Sequence, residues 1–230
     1  MTLRVLMVCT GNICRSTMAQ EVLAEQVGDA GLDVVVDSAG ISDEEHGNPV
    51  DPRAARVLRE AGHRVPDHRA RQVRADELGS WDLVLAMTRQ HLAALERLAR
   101  RCGVEDVPDP APGDVHAVDL RMYRSFDPAL GESGPASDGS GTTPGTGTPQ
   151  VGRLGPGSGS RTGSSGAAGR GRRGVDRGTG RGDGAHGPVP DVPDPWYGGH
   201  EDFVDTLDVI ERVTPALVDH LRGILDGSRP

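Results

Sequence analysis

The residues with the clearest chemical potential are a cysteine and an arginine near the N-terminus. The segment from Cys9 to Arg15 reads CTGNICR, so five residues separate a potential nucleophile from a guanidinium. A loop of this kind between a strand and a helix can turn its backbone N–H groups toward an anion, and the helix dipole adds partial positive charge. The arginine offers a planar fork that matches two phosphate oxygens. The pattern therefore predicts an oxyanion site above a thiolate that can attack phosphorus.

The remaining residues of the loop fit the same chemistry. Gly11 and Asn12 can take the unusual backbone angles that a phosphate cradle requires. Ser16 can donate its hydroxyl hydrogen to the thiolate, which stabilises sulfur as a leaving group. A buried structural role is the competing interpretation of Cys9, and the missing Gly-Lys-Ser/Thr ending excludes a Walker loop. The predicted phosphate-binding residues, besides the arginine, are Thr10, Gly11, Asn12, Ile13, Cys14 and Ser16.

Cleavage of a phosphate ester also requires an acid that protonates the departing alkoxide or phenoxide. The sequence Asp-Val-Pro-Asp-Pro occurs twice, so Asp109 and Asp194 compete for this role, with Asp127 as a third candidate. We favour Asp194 because Trp196 and Tyr197 follow it and can form walls for a flat aromatic leaving group. An amphipathic segment then follows that would anchor the loop.

The elements that would position these residues alternate between strand and helix. Apolar runs predict strands at Leu3–Val8, Val34–Asp37, Asp82–Ala86 and Val118–Tyr123. Helical spacing of apolar residues predicts a helix after the first loop and further helices at Pro52–Ala61, at Thr88–Arg101 and from Phe203 onward. This alternation indicates an α/β, three-layer sandwich with a four-stranded parallel sheet and helices on both faces. The crevice at the carboxyl ends of such strands is where the loop after Cys9 begins.

One segment, residues 131–187, interrupts this pattern. Of its 57 residues, 37 are Gly, Ser, Thr or Pro, so it cannot bury enough surface to offset the entropy of ordering. We therefore predict a disordered insert in one discontinuous domain of residues 1–130 and 188–226, with a tail at 227–230. An Arg-Gly tract at 169–174 lacks aromatic residues for stacking, so we expect a solvated linker rather than a nucleic-acid arm.

The composition argues against several classes of protein. The 230 residues include 25 Arg, no Lys and 34 acidic residues, and the net charge of −9 argues against a general nucleic-acid binder. No apolar run approaches the ~18–20 residues that span a bilayer, so no membrane association is expected. Three cysteines form no disulfide framework, which favours a cytoplasmic location. His46 and His68 are expected to be surface or helix-flanking residues, and no metal or cofactor is expected.

Two stretches of the sequence together resemble the low-molecular-weight protein tyrosine phosphatase family. They are Val-Cys-Thr-Gly-Asn-Ile-Cys-Arg-Ser near the N-terminus and Asp-Pro-Trp-Tyr-Gly-Gly near the C-terminus. The resemblance implies hydrolysis of protein phosphotyrosine, with phosphate and other oxyanions as ligands. Cys9 would form a phosphocysteine, Arg15 would clamp the phosphate, and Asp194 would act as acid and then as base. Further stretches that match are Ser38-Ala39-Gly40 and Asp51-Pro52-Arg53-Ala54.

The same resemblance raises two further points. In this family the second loop cysteine, here Cys14, can form a reversible disulfide with the nucleophile, although a small buried loop filler is an equally good interpretation. Glu44 stands where many members carry an aromatic residue that flanks the substrate, and this departure affects substrate preference.

Three other functions remain open at this point. An arginine phosphatase on the same scaffold would carry Thr where this chain has Ile13. An arsenate reductase needs further cysteines to pass on a disulfide, and only Cys102 remains outside the loop. A phosphate-binding scaffold without catalysis is the third, although every residue that the chemistry needs is present.

Overall fold

The computed structural model describes residues 2–131 and 188–227. The insert predicted at 131–187 therefore lies outside the described residues, apart from Gly131, as does the tail beyond Gly227. None of the helices in the described ranges is both long enough and apolar enough to cross a membrane.

The described residues form a five-stranded parallel sheet with the strand order β2-β1-β3-β5-β4. The α/β class is confirmed, but the expected count of four strands is one too few. The additional strand, β4, has only two exposed residues and no apolar alternation, so the sequence carries no signal for it. The strands are β1 (Leu3–Cys9), β2 (Val34–Gly40), β3 (Leu83–Ala86), β4 (Glu105–Asp106) and β5 (Ala117–Met122).

In residues 2–131 and 188–227, four α-helices cover the two faces of the sheet. Strand β1 is buried on both faces, because Val5 and Met7 belong to one apolar cluster and Leu6 and Val8 belong to the other. The first cluster includes residues of α1, α2 and α4, and the second includes residues of α3, so the three expected layers are present. The helices are α1 (Arg15–Asp29), α2 (Pro52–Glu60), α3 (Arg89–Cys102) and α4 (His200–Leu225).

The strand order places the loop after β1 at a switch in topology. The chain passes from β1 to β2 on one side and then crosses to β3 on the other side. The connections that follow β1 and β3 therefore diverge, and this opens a crevice at their carboxyl ends.

The segment after the insert reaches the same edge of the sheet. Val192 is buried, and its N–H donates to the carbonyl of Met87, just beyond β3, at 2.8 Å. The carboxylate of Asp191 accepts a hydrogen bond from the N–H of Arg89 at 2.8 Å. The chain is thereby fixed across the end of β3 immediately before Asp194, and α4 then returns it to the core against α1 and α2.

Candidate active site

The loop between β1 and α1 holds the predicted nucleophile and cation at its two ends. Cys9 is the last residue of β1, Arg15 is the first residue of α1, and both are buried. Asn12 has a φ of 59°, the left-handed conformation expected at this position. Cys14 precedes α1 without a side-chain hydrogen bond to the first turn. The N–H groups of that turn are therefore not occupied by a capping side chain, which suits an anion site.

The sulfur of Cys9 has two hydrogen-bonding neighbours. Its Sγ lies 3.0 Å from Ser16 Oγ, and it accepts from the N–H of Asn12 at 3.3 Å. The Nδ2 group of Asn12 donates to Ser16 Oγ at 3.0 Å and to Ser38 Oγ at 2.8 Å. Because Ser16 accepts from Asn12, its own hydrogen is free to point at the sulfur. The network therefore directs hydrogen-bond donors at the sulfur of Cys9.

Two buried histidines support the loop from outside. His68 Nε2 lies 2.6 Å from the carbonyl oxygen of Asn12, and His91 Nε2 lies 2.9 Å from Thr10 Oγ1. Burial lowers the pKa of both, and that of His91 falls to about 4, with the positive charge of Arg15 as a further cause. Both imidazoles are therefore neutral at pH 7. The expected surface position of His68 is wrong, because it packs under the loop, whereas His46 is exposed beside Asp43.

Asp194 lies directly against the loop. Its Oδ2 accepts a hydrogen bond of 2.7 Å from Arg15 Nη2, and its Oδ1 accepts from the N–H of Trp196 at 3.2 Å. The side chain of Asp194 is 51% exposed, so it can meet a substrate that enters from solvent. This position is compatible with the predicted role of an acid for the leaving group.

The two rival aspartates lie elsewhere. Asp109 bonds to Arg121 at 2.8 Å and lines a small cavity with Leu3 and His220, at the amino-terminal end of β1. Asp127 bonds to two arginines, of which Arg212 is the main cause of a pKa lowered to about 2. Both carboxylates are bound up in structural ion pairs, and neither lines the cavity above Cys9.

An arginine outside the loop holds the segment that carries Asp194. Arg53 donates through Nη1 to the carbonyls of Trp196 and Gly198, at 3.1 and 3.3 Å. Its guanidinium also lies over the ring of Phe203, 4.6 Å from the centroid. Asp51 fixes the other side of Arg53 through Nε and Nη2, at 3.1 and 2.9 Å. In the sequence, Arg53 stands out only as part of the matching stretch Asp51-Pro52-Arg53-Ala54, and no role was predicted for it.

These residues surround a cavity of about 350 Å³. Trp196 and Tyr197 form part of its wall, and Tyr197 is 96% exposed at the rim. Glu44 and Glu45 form another part of the wall. Glu44, which stands where many members of the resembling family carry an aromatic residue, therefore faces the cavity. The full lining comprises Cys9, Thr10, Gly11, Ile13, Cys14, Arg15, Glu44, Glu45, Gln90, Asp194, Trp196 and Tyr197.

Comparison with known proteins decides the family. A model of the low molecular weight phosphotyrosine protein phosphatases matches residues 4–116. A low molecular weight protein-tyrosine-phosphatase of Streptomyces coelicolor is 32% identical over 229 residues, which cover 99% of this chain and 98% of the relative. The chain belongs to the low molecular weight protein-tyrosine-phosphatase family. Protein-tyrosine-phosphatase A of Mycobacterium tuberculosis is 34% identical over 219 residues, covering 94% of this chain and 90% of that protein.

Solved structures agree with this phosphatase fold. A protein tyrosine phosphatase from Entamoeba histolytica matches with a TM-score of 0.58 at 21% identity, covering 96% of this chain and 97% of that one. YwlE of Bacillus subtilis, described as an arginine phosphatase, matches with a TM-score of 0.57 at 21% identity and covers 96% of both chains. At this level of identity the likeness extends to the fold alone.

Some residues of the phosphatase site carried no usable signal in the sequence. His91 follows Thr88, which caps α3 by accepting from the N–H of His91 at 3.2 Å. That cap fixes the start of the helix and aims the imidazole at the loop after β1. Glu45 packs against Gly11, where an added Cβ would lie 2.8 Å from Glu45 Cγ. Such contacts arise from the meeting of distant segments and could not be read from spacing.

Proposed function

We propose that this phosphatase hydrolyses protein phosphotyrosine in two steps through a phosphocysteine at Cys9. The observation that carries the proposal is one crevice that holds Cys9 with Ser16 and, above them, the Arg15–Asp194 pair. The meeting of a candidate nucleophile, phosphate clamp and proton donor at a single cavity supports this proposal.

In the first step the sulfur of Cys9 attacks phosphorus in line with the phenolic oxygen. The S–P bond forms as the P–O bond to the tyrosine breaks, and protonated Asp194 gives its proton to the leaving phenolate. The guanidinium of Arg15 and the N–H groups of the loop bind the equatorial oxygens, where charge is stabilised during the transfer.

In the second step water releases the phosphate. Asp194, now a carboxylate, accepts a proton from a water molecule as that water attacks phosphorus. The S–P bond breaks and its electron pair returns to sulfur, where the Ser16 hydroxyl stabilises the thiolate. Phosphate and the starting form of the enzyme result, so each group ends in its original state.

The shape of the cavity favours aryl over alkyl esters. Cys9, Thr10, Gly11 and Cys14 of the loop line the cavity, and Ile13, Trp196 and Tyr197 give it apolar and aromatic walls. A phenyl ring can stack between such walls and present its oxygen to Asp194.

Kinetics of three variants test the mechanism. Cys9→Ser should abolish turnover of p-nitrophenyl phosphate. Asp194→Ala should lower kcat for aryl esters by about 10²- to 10⁴-fold, the usual contribution of a general acid. Asp109→Ala is the matched control and should keep its kcat. Equal losses in the two aspartate variants, or undiminished turnover by Cys9→Ser, would reject the proposal.

An arginine phosphatase is the second candidate, because one structural neighbour is described as such an enzyme. Ile13 lines the cavity with an apolar side chain, which supports an ester rather than a phosphoramidate as substrate. Steady-state comparison of a phosphotyrosine and a phosphoarginine peptide separates the two, and a higher kcat/KM for phosphoarginine would reverse the assignment.

The other rivals have less support. Cys102 donates its thiol to the carbonyl of Leu98 at 2.9 Å and does not line the active-site cavity, so arsenate reduction lacks a second relay thiol there. A scaffold without catalysis would give no burst of product, whereas the proposed enzyme should trap radiolabelled phosphate on Cys9.

We also propose that Cys14 forms a reversible disulfide with Cys9 under oxidation. Both thiols are free, buried and part of the same loop. Burial raises the pKa of the Cys14 thiol, and the charge of Asp51 raises it further, so the disulfide should form faster at high pH. Activity lost to peroxide should return with dithiothreitol in the wild type and not in Cys14→Ser. Equal recovery in both would favour the loop-filler role.

A further inference from the structure

A groove lies beside the active-site cavity, between α3 and the segments that follow β2 and α2. It encloses about 610 Å³. Ile41, Val73 and Leu98 contribute to an apolar floor, and three arginines of α3 form a rim: Arg97, Arg100 and Arg101. The groove is separate from the cavity above Cys9, and no residue lines both.

The charge of this groove is opposite to that of its surroundings. Outside residues 131–187 the chain carries 18 Arg and 30 acidic residues, yet no acidic residue lines the groove. Within the described ranges, Arg97 and Arg101 make no ion pair, and Arg100 approaches Glu96 only at 4.0 Å. The arginine charges are therefore available to a negatively charged partner.

The groove and the mouth of the active site lie along the same helix. Gln90 lines the catalytic cavity, and Ala94, one helical turn further along α3, lines the groove. On the opposite wall, the N–H of Ile41 donates to the carbonyl of Cys9 at 2.9 Å. A chain that leaves the cavity along α3 therefore runs toward the groove.

We infer that this groove docks an acidic segment of the phosphotyrosine-containing substrate itself. The inference rests on the proposed function. Arg97 lies seven residues beyond Gln90 and Arg101 lies eleven beyond it, or about 10 and 16 Å along the helix at 1.5 Å per residue. An extended peptide covers about 3.3 Å per residue. Acidic side chains about three to five positions from the phosphotyrosine would therefore reach the arginines.

Two carboxylates at the mouth reinforce this preference. Glu44 and Glu45 line the cavity, and Asn48 Nδ2 donates to Glu45 Oε2 at 2.7 Å. These carboxylates repel an acidic segment that runs over them, whereas the arginines of α3 attract it. Substrates with acidic residues on one side of the phosphotyrosine are thus the preferred class.

The test compares three phosphotyrosine peptides of equal length. One carries Glu three to five positions before the phosphotyrosine, one carries Glu at the same distance after it, and one carries Gln at all of these positions. One Glu peptide should show a KM about 3- to 10-fold below that of the Gln peptide at low salt, and the difference should shrink in 0.5 M NaCl.

Variants assign the effect to the groove. The triple variant R97Q/R100Q/R101Q should lose the preference and keep wild-type turnover of p-nitrophenyl phosphate. The matched control R56Q/R59Q/R64Q removes the same charge from exposed arginines on and after α2, which packs on the other face of the sheet. This control should keep the preference. Equal KM values for the three peptides, or a preference that survives in the groove variant, would overturn the proposal.

Failure of the proposed function would appear separately, as a wild-type enzyme that does not hydrolyse p-nitrophenyl phosphate. Docking is then measured by fluorescence anisotropy, with the same peptides binding to the Cys9→Ser protein. Tighter binding of one Glu peptide would support the groove, and equal affinity for all three peptides would reject it.

Discussion

Arg15 Nη2 donates a 2.7 Å hydrogen bond to Asp194 Oδ2, although 179 positions separate the two residues in the sequence. The phosphate clamp and the candidate acid are thus ion-paired with each other. An oxyanion that binds over Cys9 competes with this carboxylate for the guanidinium of Arg15.

Replacing Asp194 by Asn should tighten the binding of inorganic phosphate while it lowers kcat. The amide removes a competing negative charge beside Arg15, and a pair whose carboxylate is half exposed contributes on the order of 1 kcal/mol. The inhibition constant of phosphate should therefore fall by about two- to fivefold. Competitive inhibition of p-nitrophenyl phosphate turnover measures it, and a weaker phosphate affinity in the variant would contradict the competition.

Replacing Ser16 by Ala should slow the second step more than the first. The lost hydrogen bond is made to sulfur when it leaves as a thiolate, and bonds to charged groups contribute about 1.5–3 kcal/mol. The steady-state rate should fall by about 10- to 100-fold while the pre-steady-state burst of p-nitrophenol persists. Ser38→Ala is the control, because it leaves the Ser16–Cys9 contact in place, and its loss should be smaller.

Replacing Arg53 by Gln should lower activity most for substrates with poor leaving groups. Arg53 holds the carbonyls on either side of Tyr197, and through them the loop of Asp194, without lining the cavity. Phenyl phosphate needs the proton from Asp194 more than p-nitrophenyl phosphate does, so its kcat should fall by a larger factor. Arg56→Gln, one turn away and exposed, should change neither rate. An equal fall for both esters would indicate a general structural role instead.

The free energy of unfolding should decrease as the pH falls from about 6.5 to about 4. Burial lowers the pKa of His91 to about 4 from an ordinary value of 6.5. Between these values the unfolded chain binds a proton that the folded chain does not, so acid favours unfolding by on the order of 3 kcal/mol from this group. Urea titrations across this range should show a shallower decline for His91→Gln than for the wild type.

Three other histidines also make the free energy of unfolding depend on pH, each in a direction set by its pKa shift. Burial also lowers the pKa of His68 and His220, so both add to the decline toward acid. His63 acts the other way: burial opposes its charged form, but hydrogen bonds to Glu25 and Glu211 outweigh it and raise its pKa. The contribution of His63 to the free energy of unfolding is complete below pH 6.5, and it is lost as the pH rises through the pKa of His63 in the folded protein. An identical pH dependence in His91→Gln and wild type would contradict the buried neutral state of His91.

Local chemistry in the sequence was sufficient to predict the strand, the loop and the helix that hold Cys9 and Arg15. Strand β1 is a continuous apolar run, and the loop supplies Gly11 and Asn12 where unusual backbone angles are needed, so each residue agrees with its neighbours. The α/β class followed in the same way, because alternation of apolar runs and helical spacing is a local property. Strand β4 was not predicted, because its two exposed residues form a strand only by pairing with β5.

The choice of the acid needed the tertiary structure. Asp109 and Asp194 each follow the same three residues, Asp-Val-Pro, so the sequence favoured one of them only through the aromatic residues beyond it. Chain folding separates them: Asp109 is held by Arg121 at one end of the sheet, while the hydrogen bond from Val192 to Met87 brings Asp194 to the other. Likewise, His91 meets Thr10 only because β1 and β3 are adjacent strands. A sequence specifies what each segment can form locally, but contacts between segments far apart in the chain depend on the order in which the strands pair.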